Sequence, residues 1–354
     1  MRIGLLAYST DTGLGYQTWD FAKNITCEAI LVCDLSKLNG MTTHHERFKN
    51  LANQVRICHG FPTEEDMRWL CVHSQVIFTC ETPLKYELYD FAREYKVKTV
   101  LQPNYEFLNY FRDGSLPKPD ILALPSMWNA DRINTLRIPT TYLPVPFPEV
   151  QVPSGGSGGT RTFTHITGRP AVYDRNGAMQ FLNACLMIGD RFHYEIFIQA
   201  PKEHNAEKTF HEIKSTLDFA KSQLGDNLTV HFDVPNNNEM YKGDVLVLPR
   251  KYGGLCLPMQ EGLSHGLPVI MPKISPNDTV LPHEWLVDAF EVGNLETHSK
   301  IPIYSVDVVD LANKMLEVMA NVDDYSKWAI DLAEKHSWKR MRPKYHALFK
   351  RLCS

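Results

Sequence analysis

Residues 244–272 read DVLVLPRKYGGLCLPMQEGLSHGLPVIMP. An apolar run over 245–249 has the unbroken character of a strand buried on both faces. It enters a loop bearing Gly253 and Gly254, and a helix is expected over 259–265 with a single carboxylate, Glu261. Gly266 closes that helix and Pro268 opens the next strand, 268–271. A helix N-terminus preceded by glycines receives a diphosphate through its backbone N–H groups and its partial positive charge. A carboxylate one turn in can accept two hydrogen bonds from a ribose diol. The plainer alternative is a solvent-facing glutamate on a packing helix.

Outward from this stretch the same alternation of strand and helix continues. In the second half, strands are expected at 162–167, 194–199 and 228–232, with helices at 177–188 and 206–224. In the first half, strands are expected at 3–7, 29–33, 55–58, 76–80, 99–102 and 121–124, with helices at 16–24, 64–73 and 86–95. Such alternation specifies a parallel sheet covered by helices. The expected fold is α/β, two Rossmann-like doubly wound domains facing across a cleft, with ligands outside the carboxyl ends of the strands. A proline-rich stretch followed by the Gly/Ser tract Ser154 to Gly159 marks the boundary. The expected domains are 1–150, a linker at 151–160, 161–325, and a C-terminal helix at 326–354. The tract itself resembles an engineered linker and is assigned no function.

A chain of 354 residues exceeds what one hydrophobic core supports, which agrees with two domains. Lys and Arg number 37 against 41 Asp and Glu, so the formal charge of -4 leaves no basic excess for coating nucleic acid. Lys339, Arg340, Arg342, Lys344, Lys350 and Arg351 make the tail locally basic, which reads as a solvated helix face. The eight cysteines lack CxxC or zinc-like spacing and suit reduced thiols in a cytoplasmic protein. The N-terminus suits a first strand rather than a signal peptide, and no stretch is apolar enough for a membrane span.

A second chemical signal is Ser9-Thr10-Asp11-Thr12-Gly13-Leu14-Gly15, between the first strand and its helix. Glycines there allow close approach of an anion or sugar. A tight strand-to-helix turn explains them equally well, and the third glycine of a dinucleotide fingerprint is replaced by Thr18.

The 244–272 stretch resembles the signature of the GT-B glycosyltransferases of the retaining GT4-like group (glycosyltransferase group 1), roughly E-x-F-G-L-x-x-x-E-A-x-A-x-G-x-P-V-I. The resemblance is carried by Gly254, Leu257, Pro258, Glu261, Gly262, Gly266, Pro268, Val269 and Ile270. The Gly13 loop is similar to the family's first glycine-rich loop. Thr167-Gly168-Arg169 through Arg175-Asn176-Gly177 looks like its G-R-x-x-x-x-K-G segment with two extra residues. His336 to Lys339 and 345–352 resemble its closing helix, which crosses back onto the first domain. The family's first glutamate, which contacts donor-sugar hydroxyls, falls on Gly253, and its phosphate-binding lysine falls nearest Arg175.

This resemblance implies transfer of a hexose from a nucleotide diphosphate sugar, UDP-hexose first among donors, with retention and without a metal or other cofactor. The implied catalytic residues are Arg169, Arg175 and Glu261. Donor binding falls to Gly13, Gly15, Gly168, Gly254, Leu255, Cys256, Leu257 and Glu261. Asp11, His59, Glu81, Asn104, Glu106 and Ser126 are the acceptor candidates, any of which can equally be a turn or cap residue. Glycan, small molecule, protein and modified DNA base all stay open as acceptors. Three other functions stay open: a sugar-nucleotide-binding protein that has lost turnover, a nucleotide-sugar epimerase, and an NAD-dependent oxidoreductase resting on the Gly13-x-Gly15 loop.

Overall fold

The computed structural model describes residues 1–39, 42–112, 114–151, 160–200, 202, 204–235, 237–296 and 299–354. The Ser154 to Gly159 tract lies outside them, as does most of the expected linker. The chain forms two compact units. Unit 1 is Met1–Pro146 with Ser299 and Trp338–Ser354; unit 2 is Phe147–Glu296 with Lys300–Ser337.

Unit 1 is built on a seven-stranded sheet: β1 (Ile3–Tyr8), β2 (Cys27–Asp34), β3 (Ala52–His59), β4 (Val76–Glu81), β5 (Lys98–Pro103), β6 (Ile121–Leu124) and β7 (Thr140–Tyr142). Its order is β3-β2-β1-β4-β5-β6-β7, every pair parallel. The period-2 geometry of a strand divides its apolar run between two cores. Leu5, Ala7, Ile30, Val32 and Phe78 join one cluster, whereas Leu6, Leu31, Cys33 and Ile77 join the other. The first is covered by helices Gly13–Asn24 and Trp338–Cys353, the second by Glu64–Val72 and Leu88–Glu94. Burial on both faces explains why these strands read as continuous apolar runs.

Unit 2 repeats the plan with β8 (Thr162–Gly168), β9 (His193–Ile198), β10 (Leu228–Phe232), β11 (Val245–Val247), β12 (Val269–Pro272) and β13 (Leu286–Val287). Their order is β10-β9-β8-β11-β12-β13, again parallel. An antiparallel hairpin, β14 (Ala289–Glu296) and β15 (Lys300–Val306), follows. The strand order reverses between β1 and β4 and between β8 and β11. These are the switch points outside which α/β sheets bind ligands.

The unit boundaries differ from those expected at both crossings. The chain enters unit 2 at Phe147 rather than after 150, because Phe147 is buried, stacks on His336 at 4.9 Å and donates its N–H to the His336 carbonyl at 3.0 Å. The expected helix at 326–354 is two helices. Val322–His336 stays with unit 2, and Trp338–Cys353 belongs to unit 1. There Trp338 Nε1 donates to Asp20 at 2.6 Å, and Tyr345 and Phe349 pack edge-on against Phe21 and Phe78. The six basic tail residues are all exposed on the outer face of that helix. All eight cysteines are free thiols, seven of them buried. Among the described residues no helix is long and apolar enough to cross a membrane.

Candidate functional site

In unit 2 the loops leaving β8 and β11 carry the site. Gly168 ends β8 at φ 58°, and the half-buried Arg169 follows it. The loop returns to helix Ala178–Ile188, whose first N–H groups are already occupied. Asp174, 1% exposed, accepts from Ala178 N at 2.9 Å and Met179 N at 3.0 Å. Burial pushes the Asp174 carboxyl up, against the pull of Lys251 and these N–H groups. Lys251 Nζ lies 3.8 Å from that carboxylate and bonds the Tyr173 carbonyl at 2.9 Å. This lysine is thereby spent on the loop's own fold.

The β11 loop meets the β8 loop through arginine. The Tyr252 carbonyl accepts from Arg250 Nε at 2.9 Å and from Arg175 Nε at 3.4 Å. The Arg175 guanidinium also lies 5.0 Å from the Tyr252 ring centre, at cation–π range. Gly253 follows at φ 107°, and a Cβ there would stand 2.2 Å from Arg175 Nη2 and 2.6 Å from Arg250 Nη2. Any other residue at 253 would meet both a strained backbone and two guanidinia.

Gly254, Leu255 and Cys256 lead into helix Leu257–Ser264, which starts two residues earlier than expected because Pro258 suits a first turn. Cys256 is its N-cap and is buried. One turn in, Glu261 accepts a hydrogen bond from the Tyr241 hydroxyl. Tyr241 is buried and stacks on His265 at 4.9 Å. Burial foremost, and then the Glu261 charge, push the Tyr241 phenol well up, so it stays a proton donor.

The expected donor residues Gly168, Arg169, Arg175, Gly254, Leu255, Cys256, Leu257 and Glu261 thus lie on two adjacent loops and the helix they feed. Gly13 and Gly15 lie in unit 1 instead, at the start of helix Gly13–Asn24. A Cβ on Gly15 would stand 1.9 Å from the Thr10 carbonyl oxygen, so packing alone accounts for that glycine. A cavity of about 460 Å³ beside Tyr173 and Lys251 reaches the β14–β15 hairpin residues Val292 and Ile303, and none of the expected donor residues lines it.

The acceptor candidates occupy carboxyl strand ends of unit 1. Asp11 is held by Arg47 at 2.8 Å and His44 at 2.7 Å, which makes it a loop brace. His59 ends β3 with its side chain 63% exposed and Nδ1 3.3 Å from Asp34. The Asp34 carboxyl is held down to about 2, first by the Ser36 side chain. Glu81 ends β4 in the left-handed region at φ 60°, a conformation that costs a non-glycine residue energy. Asn104 Nδ2 donates to Glu81 at 3.4 Å. Glu106 sits in the 3-10 turn Tyr105–Phe111, and Ser126 Oγ accepts from Trp128 N at 3.3 Å as a turn residue. Among the described residues no group of three or more His, Cys, Asp or Glu is arranged to hold a metal.

Sequence reasoning missed Arg250 and Tyr241. Arg250 carried a signal, a basic residue between a buried strand and a double glycine. Tyr241, twenty positions before Glu261, carried none.

Neither a protein-family profile nor any curated protein matches the sequence. The fold is similar to that of HepE from Anabaena in complex with UDP, with TM-score 0.72 and 9% identity over 99% of this chain and 100% of that one. It is similar to a sucrose-phosphate synthase from Thermosynechococcus elongatus, with TM-score 0.70 and 12% identity over 99% of both chains. It is also similar to the pneumococcal O-GlcNAc transferase GtfA in complex with UDP and GlcNAc, with TM-score 0.60 and 9% identity over 81% of this chain. The chain spans 60% of the length of GtfA. The order of both sheets and these likenesses give one conclusion: this chain has the two-unit fold of the GT-B glycosyltransferases.

Proposed function

We propose that the protein is a glycosyltransferase that moves a hexose from a nucleotide diphosphate sugar, UDP-hexose first among donors, to an acceptor hydroxyl with retention of configuration and without a metal. The observation that carries this reading is the convergence of the β8 and β11 loops at the switch point of unit 2. Arg175 from one loop and Arg250 from the other meet at the Tyr252 carbonyl, with Glu261 one turn into the following helix. The UDP complexes of HepE and GtfA support the donor class by analogy of fold.

In this reading Arg169 and Arg175 bind the diphosphate, Glu261 holds the ribose diol, and the backbone from Gly254 to Leu257 contacts sugar and phosphate. The sugar C1–oxygen bond to the diphosphate breaks as the acceptor oxygen bonds C1 from the same face, and the acceptor proton leaves on the diphosphate. Charge develops on the leaving oxygen during that step. Cations already fixed beside it lower the barrier instead of merely tightening binding. At the acceptor end, Glu81, held in a strained conformation beside Asn104, is the strongest candidate to orient a hydroxyl, with His59 next.

The test is incubation with UDP-, GDP- and ADP-sugars, following nucleotide release and melting temperature. Silence across the panel would overturn the reading. Binding without release, with every acceptor class tried, would favour a protein that has lost turnover, the alternative motivated by glycine at 253. Donor turnover without any acceptor would indicate an epimerase.

A further inference from the structure

Unit 1 holds two cysteines whose sulfurs touch. Cys33 on β2 and Cys58 on β3 are partners in the parallel register, and their Sγ atoms share a hydrogen bond at 3.4 Å. Both side chains enter the same core cluster, with Leu31, Met67 and Leu70. Neighbouring strands of a sheet lie about 4.8 Å apart. A disulfide spans Cα separations of about 4.4–6.8 Å, so these two backbones already stand within its reach.

The two thiols are placed differently. β3 is an edge strand of its sheet, and Cys58 sits near its carboxyl end between the exposed Ile57 and His59. Cys33 lies one strand further in and is fully buried. The shared hydrogen bond holds the Cys58 thiol below its ordinary value, and the same bond together with burial pushes Cys33 up. Cys58 is therefore the sulfur that ionises first, and the thiolate is the reactive form. Cys71, in the same cluster, is pushed up to about 12 by burial and stays a thiol.

We infer that Cys33 and Cys58 form a redox site, which hydrogen peroxide converts to a disulfide that clamps edge strand β3 to β2. The Cys58 thiolate attacks a peroxide oxygen; the S–O bond forms, the O–O bond breaks and hydroxide leaves, so that Cys58 becomes a sulfenic acid. The Cys33 sulfur then bonds the Cys58 sulfur and displaces its hydroxyl, which departs with the Cys33 proton as water. Both thiols are oxidised, the peroxide is reduced, and the proton first lost by Cys58 completes the second water. The new bond stands beside the next partners in register, Asp34 and His59, whose side chains already meet at 3.3 Å. Oxidation therefore fixes the strand end that carries His59.

The experiment treats the full-length Cys353→Ser protein, which lacks the exposed thiol, with excess hydrogen peroxide. The expected result is a mass loss of about 2 Da that dithiothreitol reverses, with one cross-linked peptide joining residues 33 and 58. Amide exchange over Ala52–His59 should slow about tenfold in the oxidised protein. In the same background Cys33→Ala should leave Cys58 as a sulfenic acid that dimedone traps, and Cys58→Ala should leave Cys33 unreacted. Should either alanine variant fail to fold, the peptide map and exchange of the Cys353→Ser protein still decide. The inference is overturned if peroxide that oxidises Cys353 of the wild type leaves Cys33 and Cys58 unjoined, if either of them pairs with Cys71 instead, or if exchange is unchanged once the bond has formed.

Discussion

The Tyr241 hydroxyl donates a hydrogen bond to the Glu261 carboxylate, joining the turn before β11 to the helix after it. Tyr241 stays protonated because burial and the neighbouring negative charge both oppose its ionisation. The bond therefore aims the carboxylate across the whole neutral range. Tyr241→Phe should weaken UDP binding about tenfold, close to the value of one hydrogen bond to a charged group. Glu261→Gln should weaken it further, and the double variant should lose less than the two singles combined. Calorimetric titration checks this; an unchanged Kd in Tyr241→Phe would reduce Tyr241 to packing.

A second expectation concerns acid. His165 on β8 donates from Nδ1 to the Val247 carbonyl on β11 at 2.8 Å, and Nε2 is buried without a partner among the described residues. Burial pushes this imidazole down to about 4, below its usual value of about 6.5. Between those values the unfolded chain takes up a proton that the folded chain refuses. Stability should therefore be complete above about pH 6.5 and fall as pH drops towards 4, by about 3 kcal/mol from this residue. Urea midpoints of the wild type and His165→Leu, compared at pH 7 and pH 4.5, should show a markedly smaller pH-dependent drop in the variant.

Helix Gly13–Asn24 depends on a close backbone approach. With 1.9 Å between the Cβ position of Gly15 and the Thr10 carbonyl oxygen, Gly15→Ala must push the helix away from its loop. Overpacking of this kind costs about 1–3 kcal/mol. Denaturant unfolding of the variant should show that loss, and an unchanged midpoint would mean the loop yields freely.

Glu81 offers a separation of stability from activity. Asparagine tolerates the left-handed backbone found there, so Glu81→Asn should hold stability within about 0.5 kcal/mol while removing the carboxylate. If Glu81 orients the acceptor, turnover should fall at least about tenfold with donor Kd unchanged. Equal losses in stability and turnover would point to a structural role instead.

Most of unit 1 was readable because its strands are buried on both faces. Runs such as Ile3 to Ala7 and Ala29 to Cys33 are apolar without interruption, and glycine, proline or capping residues punctuate the chain around them. The 244–272 stretch was readable for the same reason, and its Gly-Gly loop and Glu261 stand where the spacing put them. Elements with mixed composition were missed. The short edge strand Thr140–Tyr142 is only partly buried, and hairpin β14–β15 alternates exposed and covered residues. The second crossing at Trp338 was misplaced because helices Val322–His336 and Trp338–Cys353 are both amphipathic, and periodicity does not say which sheet receives an apolar face.

By itself the sequence determined two parallel α/β units and a glycine loop feeding a helix with one glutamate. Burial pattern and spacing are local properties, and local properties carry that much. Only the tertiary structure decided how the charges are used. It assigned Lys251 to Asp174, Tyr241 to Glu261 and Asp11 to Arg47, and it brought Arg175 and Arg250 together at a glycine. Those pairings join side chains up to 77 positions apart in the chain, as between Asp174 and Lys251, and only folding sets the distance and burial that determine what a charge can bind.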